Sequence, residues 1–231
     1  MLNKVKFRSM NFSEIKFHNA GKQYIAITAV IIIAIISVFA VNILSQDYDT
    51  KVDVFNKSLS YEKENNYKKA LEPLTSSYEA NKNDYLFNMR LGWLYYLNKD
   101  YTNSIKYYNI AKNLEQFSIE PLLGLTLPYA AQEKWSEVKV QYENVLRMDK
   151  NNYTANLRLG QIYLSNKDYQ NAKKYLETVH TSYPGEYEPN LSLGWTYYYF
   201  GDKVKAKELL TNALMLSPND KLAKEGLDLI K

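Results

Sequence analysis

The sequence predicts an all-α protein: one apolar helix near the N-terminus, followed by a solenoid of stacked helix pairs. Two observations carry the prediction. The stretch Asn88-Met89-Arg90-Leu91-Gly92-Trp93-Leu94-Tyr95 returns at Asn156–Tyr163 and again at Asn190–Tyr197. The second interval is half the first, and a 34-residue step recurring without slippage is the signature of a helical repeat array. Residues 24–44 form a run with no charged side chain. The composition, 46% hydrophobic and 23% charged, is that of a folded chain.

Residues 1–23 form a basic tail, with Lys4, Lys6, Arg8, Lys16 and Lys22 set against Glu14 alone. This tail carries the whole formal charge of +4, and the rest of the chain is balanced. The basic pI is therefore a tail effect and excludes nucleic acid as an expected partner of the folded part. Phe7, Phe12 and Phe17 lie among the lysines. They leave open a tail resting on an anionic surface, but the apolar spacing fits neither the helix nor the strand period.

Laid out as a helix, Tyr24–Leu44 covers about 30 Å, the hydrocarbon thickness of a bilayer. It is expected to be a retained transmembrane helix. The alternative is a cleaved signal peptide, with Val38-Phe39-Ala40 as the small-residue site, but the apolar run exceeds the usual length. Positive charge before the helix predicts a cytoplasmic N-terminus. Residues 45–50 are a short connector, with Ser45, Asp47 and Asp49 available as N-caps.

From residue 51 the register predicts five units: 51–84, 85–118, 119–152, 153–186 and 187–220. In the first helix of each unit one phase reads Lys57, Leu91, Leu125, Leu159, Leu193, and the next reads Ser58, Gly92, Thr126, Gly160, Gly194. Tyr61, Tyr95, Tyr129, Tyr163 and Tyr197 form an unbroken row one turn further on. Polar turns such as Asn98-Lys99-Asp100 and Asn166-Lys167-Asp168 end these helices. The second helices open on Tyr67, Tyr101, Trp135 and Tyr169 and carry Ala70, Ser104, Val138, Ala172 and Ala206 in phase. Leu74, Tyr108, Tyr142, Leu176 and Leu210 follow, and Pro184 and Pro218 end two of the second helices. Small residues at helix crossings allow close approach, and large side chains fill the neighbouring gaps.

This pattern resembles the tetratricopeptide repeat family over residues 51–220. The resemblance implies a right-handed α-solenoid of five helix-turn-helix repeats, with residues 221–231 as a short capping helix that Gly226 leaves liable to fray. It also implies a concave groove lined by the first helices. The matching positions are Phe55, Leu86, Met89, Arg90, Trp93, Tyr96, Leu123, Leu127, Leu157, Arg158, Leu191, Trp195, Tyr198 and Tyr199. Exposed aromatics of this kind are the usual hot spots of binding surfaces. The competing assignment packs them between adjacent first helices, and Arg90 and Arg158 either meet a partner carboxylate or pair within the chain. The Lys/Asn/Arg carboxylate clamp of chaperone-docking members is not matched, because Phe55 and Leu59 stand at its first-unit positions.

Pro128, with Gly124 one helical turn before it, predicts a kink in the first helix of the third unit. Chemistry is sparse. Cysteine is absent, and His18 and His180 are the only histidines. No glycine-rich phosphate loop occurs, so no cofactor, metal or catalytic role is expected.

Together these readings predict a membrane-tethered scaffold that binds partner proteins or peptides in an aromatic-lined groove. Residues 24–44 would sit in the lipid bilayer, and homo-oligomerisation through the array ends is compatible with this. Lys-, Asn-, Ile- and Tyr-rich usage points to a bacterial inner membrane with the repeats in the periplasm. The alternatives are glycan or envelope-polymer binding in the same groove, and an organelle outer-membrane receptor with the repeats in the cytosol.

Overall fold

The computed structural model describes residues 30–39 and 50–230. The chain forms two compact units, Met1–Lys57 and Ser58–Lys231. All regular structure among the described residues is helical.

In the first unit, residues 30–39 are helical and exposed throughout. The transmembrane expectation is corrected here. Among the described residues no helix is long and apolar enough to cross a membrane. The membrane tether, the lipid-bilayer partner, the single-pass topology and the inner-membrane location, which all rested on that helix, are withdrawn, as is the outer-membrane receptor alternative. Residues 24–29 and 40–44, the basic tail 1–23 and connector residues 45–49 lie outside the described residues.

The repeating part is a solenoid of helix-turn-helix pairs. Helix α1 covers residues 50–63. It is followed by α2 (Tyr67–Ser76), the single turn α3 (Tyr78–Asn81), α4 (Tyr85–Leu97), α5 (Tyr101–Leu114) and α6 (Glu120–Ala131). Then come α7 (Trp135–Met148), α8 (Tyr153–Ser165), α9 (Tyr169–Ser182), α10 (Tyr187–Phe200), α11 (Lys203–Leu216) and α12 (Lys221–Ile230). From α4 onward each first helix packs on its own second helix, and from α2 onward each second helix packs on the helix that opens the next pair.

The turns inside the pairs are near copies of one another. Asn65, Lys99, Glu133, Lys167 and Gly201, one in each repeat, all adopt positive φ, between 58° and 95°. The residue after each donates its N–H to the carbonyl of Tyr61, Tyr95, Tyr129, Tyr163 or Tyr197 at 2.9–3.0 Å. This is a Schellman-type end that satisfies the last carbonyls of the first helix. Asn66, Asp100, Asp168 and Asp202 then cap the second helices, each side chain accepting from a backbone N–H in the first turn.

The turns between pairs are held by the asparagine that opens the recurring stretch. Asn88 Nδ2 donates to the carbonyls of Lys82 and Asp84, at 3.0 and 2.7 Å. Asn156 does the same to Lys150 and Asn152, both at 3.0 Å, and Asn190 to Pro184 and Glu186, at 2.7 and 2.8 Å. All three asparagines are buried, and these carbonyls satisfy their amide donors.

The core follows the predicted phases. Leu91, Leu125, Leu159 and Leu193 are buried, with Ala70, Ser104, Val138, Ala172 and Ala206 opposite them. Ser104 Oγ also donates to the Gly92 carbonyl at 2.7 Å. The glycines mark close crossings. A β-carbon added at Gly92 or Gly124 would lie 2.8 or 2.4 Å from the Tyr108 ring, which is therefore inserted between α4 and α6. At Gly226 it would lie 2.6 Å from Leu210. Gly226 thus seats α12 on α11, and the frayed cap expected from sequence gives way to a packed one. Gly124 likewise marks a close approach, and α6 stays helical through Pro128 from Glu120 to Ala131.

The register of Gly124 and Gly226 holds arginine at positions 90 and 158. Helix α4 packs on α6 and α8 packs on α10, whereas α6 and α8 barely touch. Arg90 is folded in against Ser58 and Glu62 of α1, whereas the Arg158 side chain stays 44% exposed.

Candidate functional site

The first helices carry two aromatic clusters in the same register, three repeats apart. In α4, Trp93 lies 5.7 Å from Tyr96, which meets Tyr101 of α5 at 6.2 Å. In α10, Trp195 lies 5.6 Å from Tyr198 and 5.7 Å from Tyr199. Tyr199 in turn stacks on Tyr169 of α9 at 5.1 Å, with ring planes 10° apart. Trp93, Tyr96, Trp195 and Tyr198 are half-buried, whereas Tyr199 is exposed. Tyr108 fills the gap beside Gly92 and Leu210 that beside Gly194, while Trp195 also lies against α12 at Gly226.

The other predicted groove residues divide by environment. Leu86 is 62% exposed, and Met89, Leu123, Leu127 and Leu191 are half-buried. Leu123 also packs against the core of the third and fourth pairs. Phe55 is half-buried in α1, in the first unit. Leu157 is 1% exposed and sits in the core with Leu176, Leu193 and Tyr197, so it offers a groove ligand no surface.

The two arginines behave differently. Arg90 Nη1 forms an ion pair with Glu62, and its Nε donates to Ser58 Oγ at 3.2 Å. Glu62 also accepts from Trp93 Nε1 at 2.7 Å. Arg90 is largely buried and already held, so its carboxylate partner is internal. Arg158 is more open: its Nη1 donates to Gln161 at 2.8 Å and lies 3.3 Å from Glu188, with its side chain 44% exposed. An ion pair this exposed contributes little and exchanges readily.

Three participants carry no signal of their role in the sequence. Glu62 orients both Arg90 and Trp93, and Tyr101 and Tyr169 extend the aromatic clusters from the second helices. The tyrosines are legible only as helix openers, because their contact with the first helix depends on how the hairpin closes.

On the other flank of the first helices, the tyrosine row faces the second helices. Tyr95 stacks on Tyr107 at 5.3 Å and Tyr163 on Tyr175 at 5.6 Å. Tyr197 donates to Glu177 in the preceding pair, and burial followed by this bond pushes its phenol well above the usual range. The chain lacks cysteine, and among the described residues no group of His, Asp and Glu is arranged to hold a metal.

The fold and this surface define an α-solenoid of helix-turn-helix repeats. Tetratricopeptide repeat family models match residues 55–117 and 153–184. A tetratricopeptide repeat protein from Parabacteroides merdae shares the fold with a TM-score of 0.68 and 15% identity, covering 79% of this chain and 72% of that one. MamA from Desulfovibrio magneticus superposes with a TM-score of 0.58 at 20% identity, over 63% of this chain and 82% of its own. YrrB, described as a repeat protein with an unusual peptide-binding site, gives 0.61 at 17% identity, over 76% and 90%. Likeness at this identity shows the fold. No curated protein matches the sequence.

Proposed function

We propose that the repeat array is a protein-interaction scaffold, holding a partner protein or peptide along the face built by the first helices. The observation that carries this reading is the recurrence of the Trp–Tyr cluster at Trp93 and Trp195. Both tryptophans are half-buried: Trp93 donates to Glu62 on one side, Trp195 lies against α12 beside Gly226, and each keeps part of its ring exposed. Aromatics anchored on one side and wet on the other supply contact area at little entropic cost, which is why they dominate binding hot spots. Leu86, Met89 and Leu191 extend the apolar surface on the same helices, and the fold is one on which YrrB carries a peptide-binding site.

The test is cross-linking and affinity purification with the native chain and with a Leu86→Ser, Tyr199→Ala double variant. Both positions are exposed, so helical content should be unchanged, and loss of the Tyr199 ring contacts should lower the melting temperature only slightly. Loss of one defined protein partner is expected. Retention of every partner by the variant would remove this face as the docking surface, and loss of an envelope polysaccharide instead would replace protein with glycan.

A further inference from the structure

The separation of α6 from α8 leaves a cleft of about 310 Å³ between the third and fourth pairs. Trp135, Val138, Tyr142 and Ile162 form its apolar wall, and Arg158 and Gln161 stand at its rim. Trp135 is 50% exposed. Ligand pockets run from about 300 to 1,000 Å³, so this volume takes one large side chain rather than a drug-sized molecule.

The same chain displays a side chain of the right kind. Phe117, in the turn between α5 and α6, is 94% exposed, an extreme value for phenylalanine. Exposed glutamates flank it at Glu115 and Glu120. Two residues of chain reach about 7 Å, so a carboxylate at 115 lies within range of a guanidinium at the rim of any cleft that accepts the ring. The cleft offers Arg158, whose half-exposed pair with Glu188 is easily exchanged.

Phe117 cannot fill the cleft of its own chain. It precedes the N-terminus of α6, whereas Ala130 and Trp135, which line the cleft, lie at its far end. The 12 residues of α6 hold the two apart by about 18 Å. We infer that Phe117 of one copy inserts into the α6–α8 cleft of a second copy, with Glu115 meeting Arg158. Knob and hole are different surfaces, so the contact is heterologous. It adds copies head to tail into a ring or an open chain instead of a closed two-fold dimer. Arg158 and Gln161 hold the registers of Arg90 and of Trp93 and Trp195, so the cleft borders the proposed partner face, but a Phe117-dependent contact between copies is read separately from partner capture.

The absence of native cysteine allows a site-specific test. Full-length chains carrying Gln116→Cys are mixed with chains carrying Ser165→Cys, at the mouth of the cleft, and oxidised. A mixed disulfide dimer is expected in excess over that formed when the second cysteine is placed at exposed position 211 by Thr211→Cys. Adding Phe117→Ser to the first chain should lower the yield about tenfold, as loss of an aromatic anchor does. Arg158→Glu in the second chain should lower it as well, and Glu115→Arg in the first should restore it. A yield equal to that of the Thr211→Cys control, or one indifferent to Phe117→Ser, overturns the inference, and groove binding measured on the same variants stays informative.

Discussion

Tyr108 and Gly124 are in closer contact than any residue with a β-carbon would permit: an added methyl at 124 would lie 2.4 Å from Tyr108 Cε1. The ring is wedged between α4 and α6, and burial raises its phenol far above the usual tyrosine value. The crossing of α5 over α6 gives the glycine its place.

Gly124→Ala should therefore destabilise the array by about 1–3 kcal/mol, the usual cost of overpacking. Gly185→Ala is the control, since nothing lies within 4 Å of its added methyl. That change should be neutral or slightly stabilising. Urea unfolding followed by circular dichroism separates the two, and equal midpoints would contradict the wedge.

Asn156→Ala should cost about 1–3 kcal/mol by leaving the Lys150 and Asn152 carbonyls without their buried donor. Amide exchange should accelerate locally in the α7–α8 turn before the array melts. Unchanged protection there would show that the asparagine is not what holds the turn.

Tyr187 donates to Asp220 Oδ2 at 2.6 Å, and Asp220 caps α12 through the Ala223 N–H, also at 2.6 Å. Burial, then the bond to Asp220, pushes the Tyr187 phenol up to about 12. A raised phenol stabilises the fold below the ordinary tyrosine value, and that contribution is lost as pH climbs from there towards 12. The bond from Tyr187 holds the Asp220 carboxyl below the usual range, so its contribution is present at neutral pH and lost in acid. Tyr187→Phe should lower stability at neutral pH by about 1 kcal/mol and shrink the alkaline loss. An alkaline loss identical in the two proteins would refute the linkage.

His180 occupies the register of Tyr78, three repeats on, as Asn190 does that of Asn88. Tyr78 donates to Asn88 Oδ1 at 3.1 Å. His180 Nε2 and Asn190 Oδ1 are both buried and lack a hydrogen-bond partner among the described residues. His180→Tyr should supply the missing hydroxyl and raise stability by about 1 kcal/mol in thermal unfolding. A lower melting temperature would show that α9 does not admit the longer ring.

Much of the repeat unit is readable in the chain because its causes are local or strictly periodic. The Leu and Tyr phases, the polar turns and the caps at Asp100, Asp168 and Asp202 depend on spacing, and spacing is visible without coordinates. The candidate surface is readable as a set of positions, and its state is not. Leu157 shares a phase with Met89 and Leu191 but is buried, because the neighbouring helices close over it. Arg90 and Arg158 also share a phase. One is held by Glu62 and Ser58, and the other stands open at the rim of a cleft. Apolar length alone suggests a membrane-spanning helix, and among the described residues no helix has that length.

The sequence by itself determined the helices, their 34-residue step and the residues that end and cap them, since each follows from backbone hydrogen bonding and the periodicity of apolar side chains. Only the tertiary structure decided which rings remain half in water and which glycines mark crossings. It alone showed that α6 and α8 part at Arg158 and that Phe117 projects from the turn before α6. These depend on distances between segments far apart in the chain, where a few ångströms separate a filled core from an open cleft.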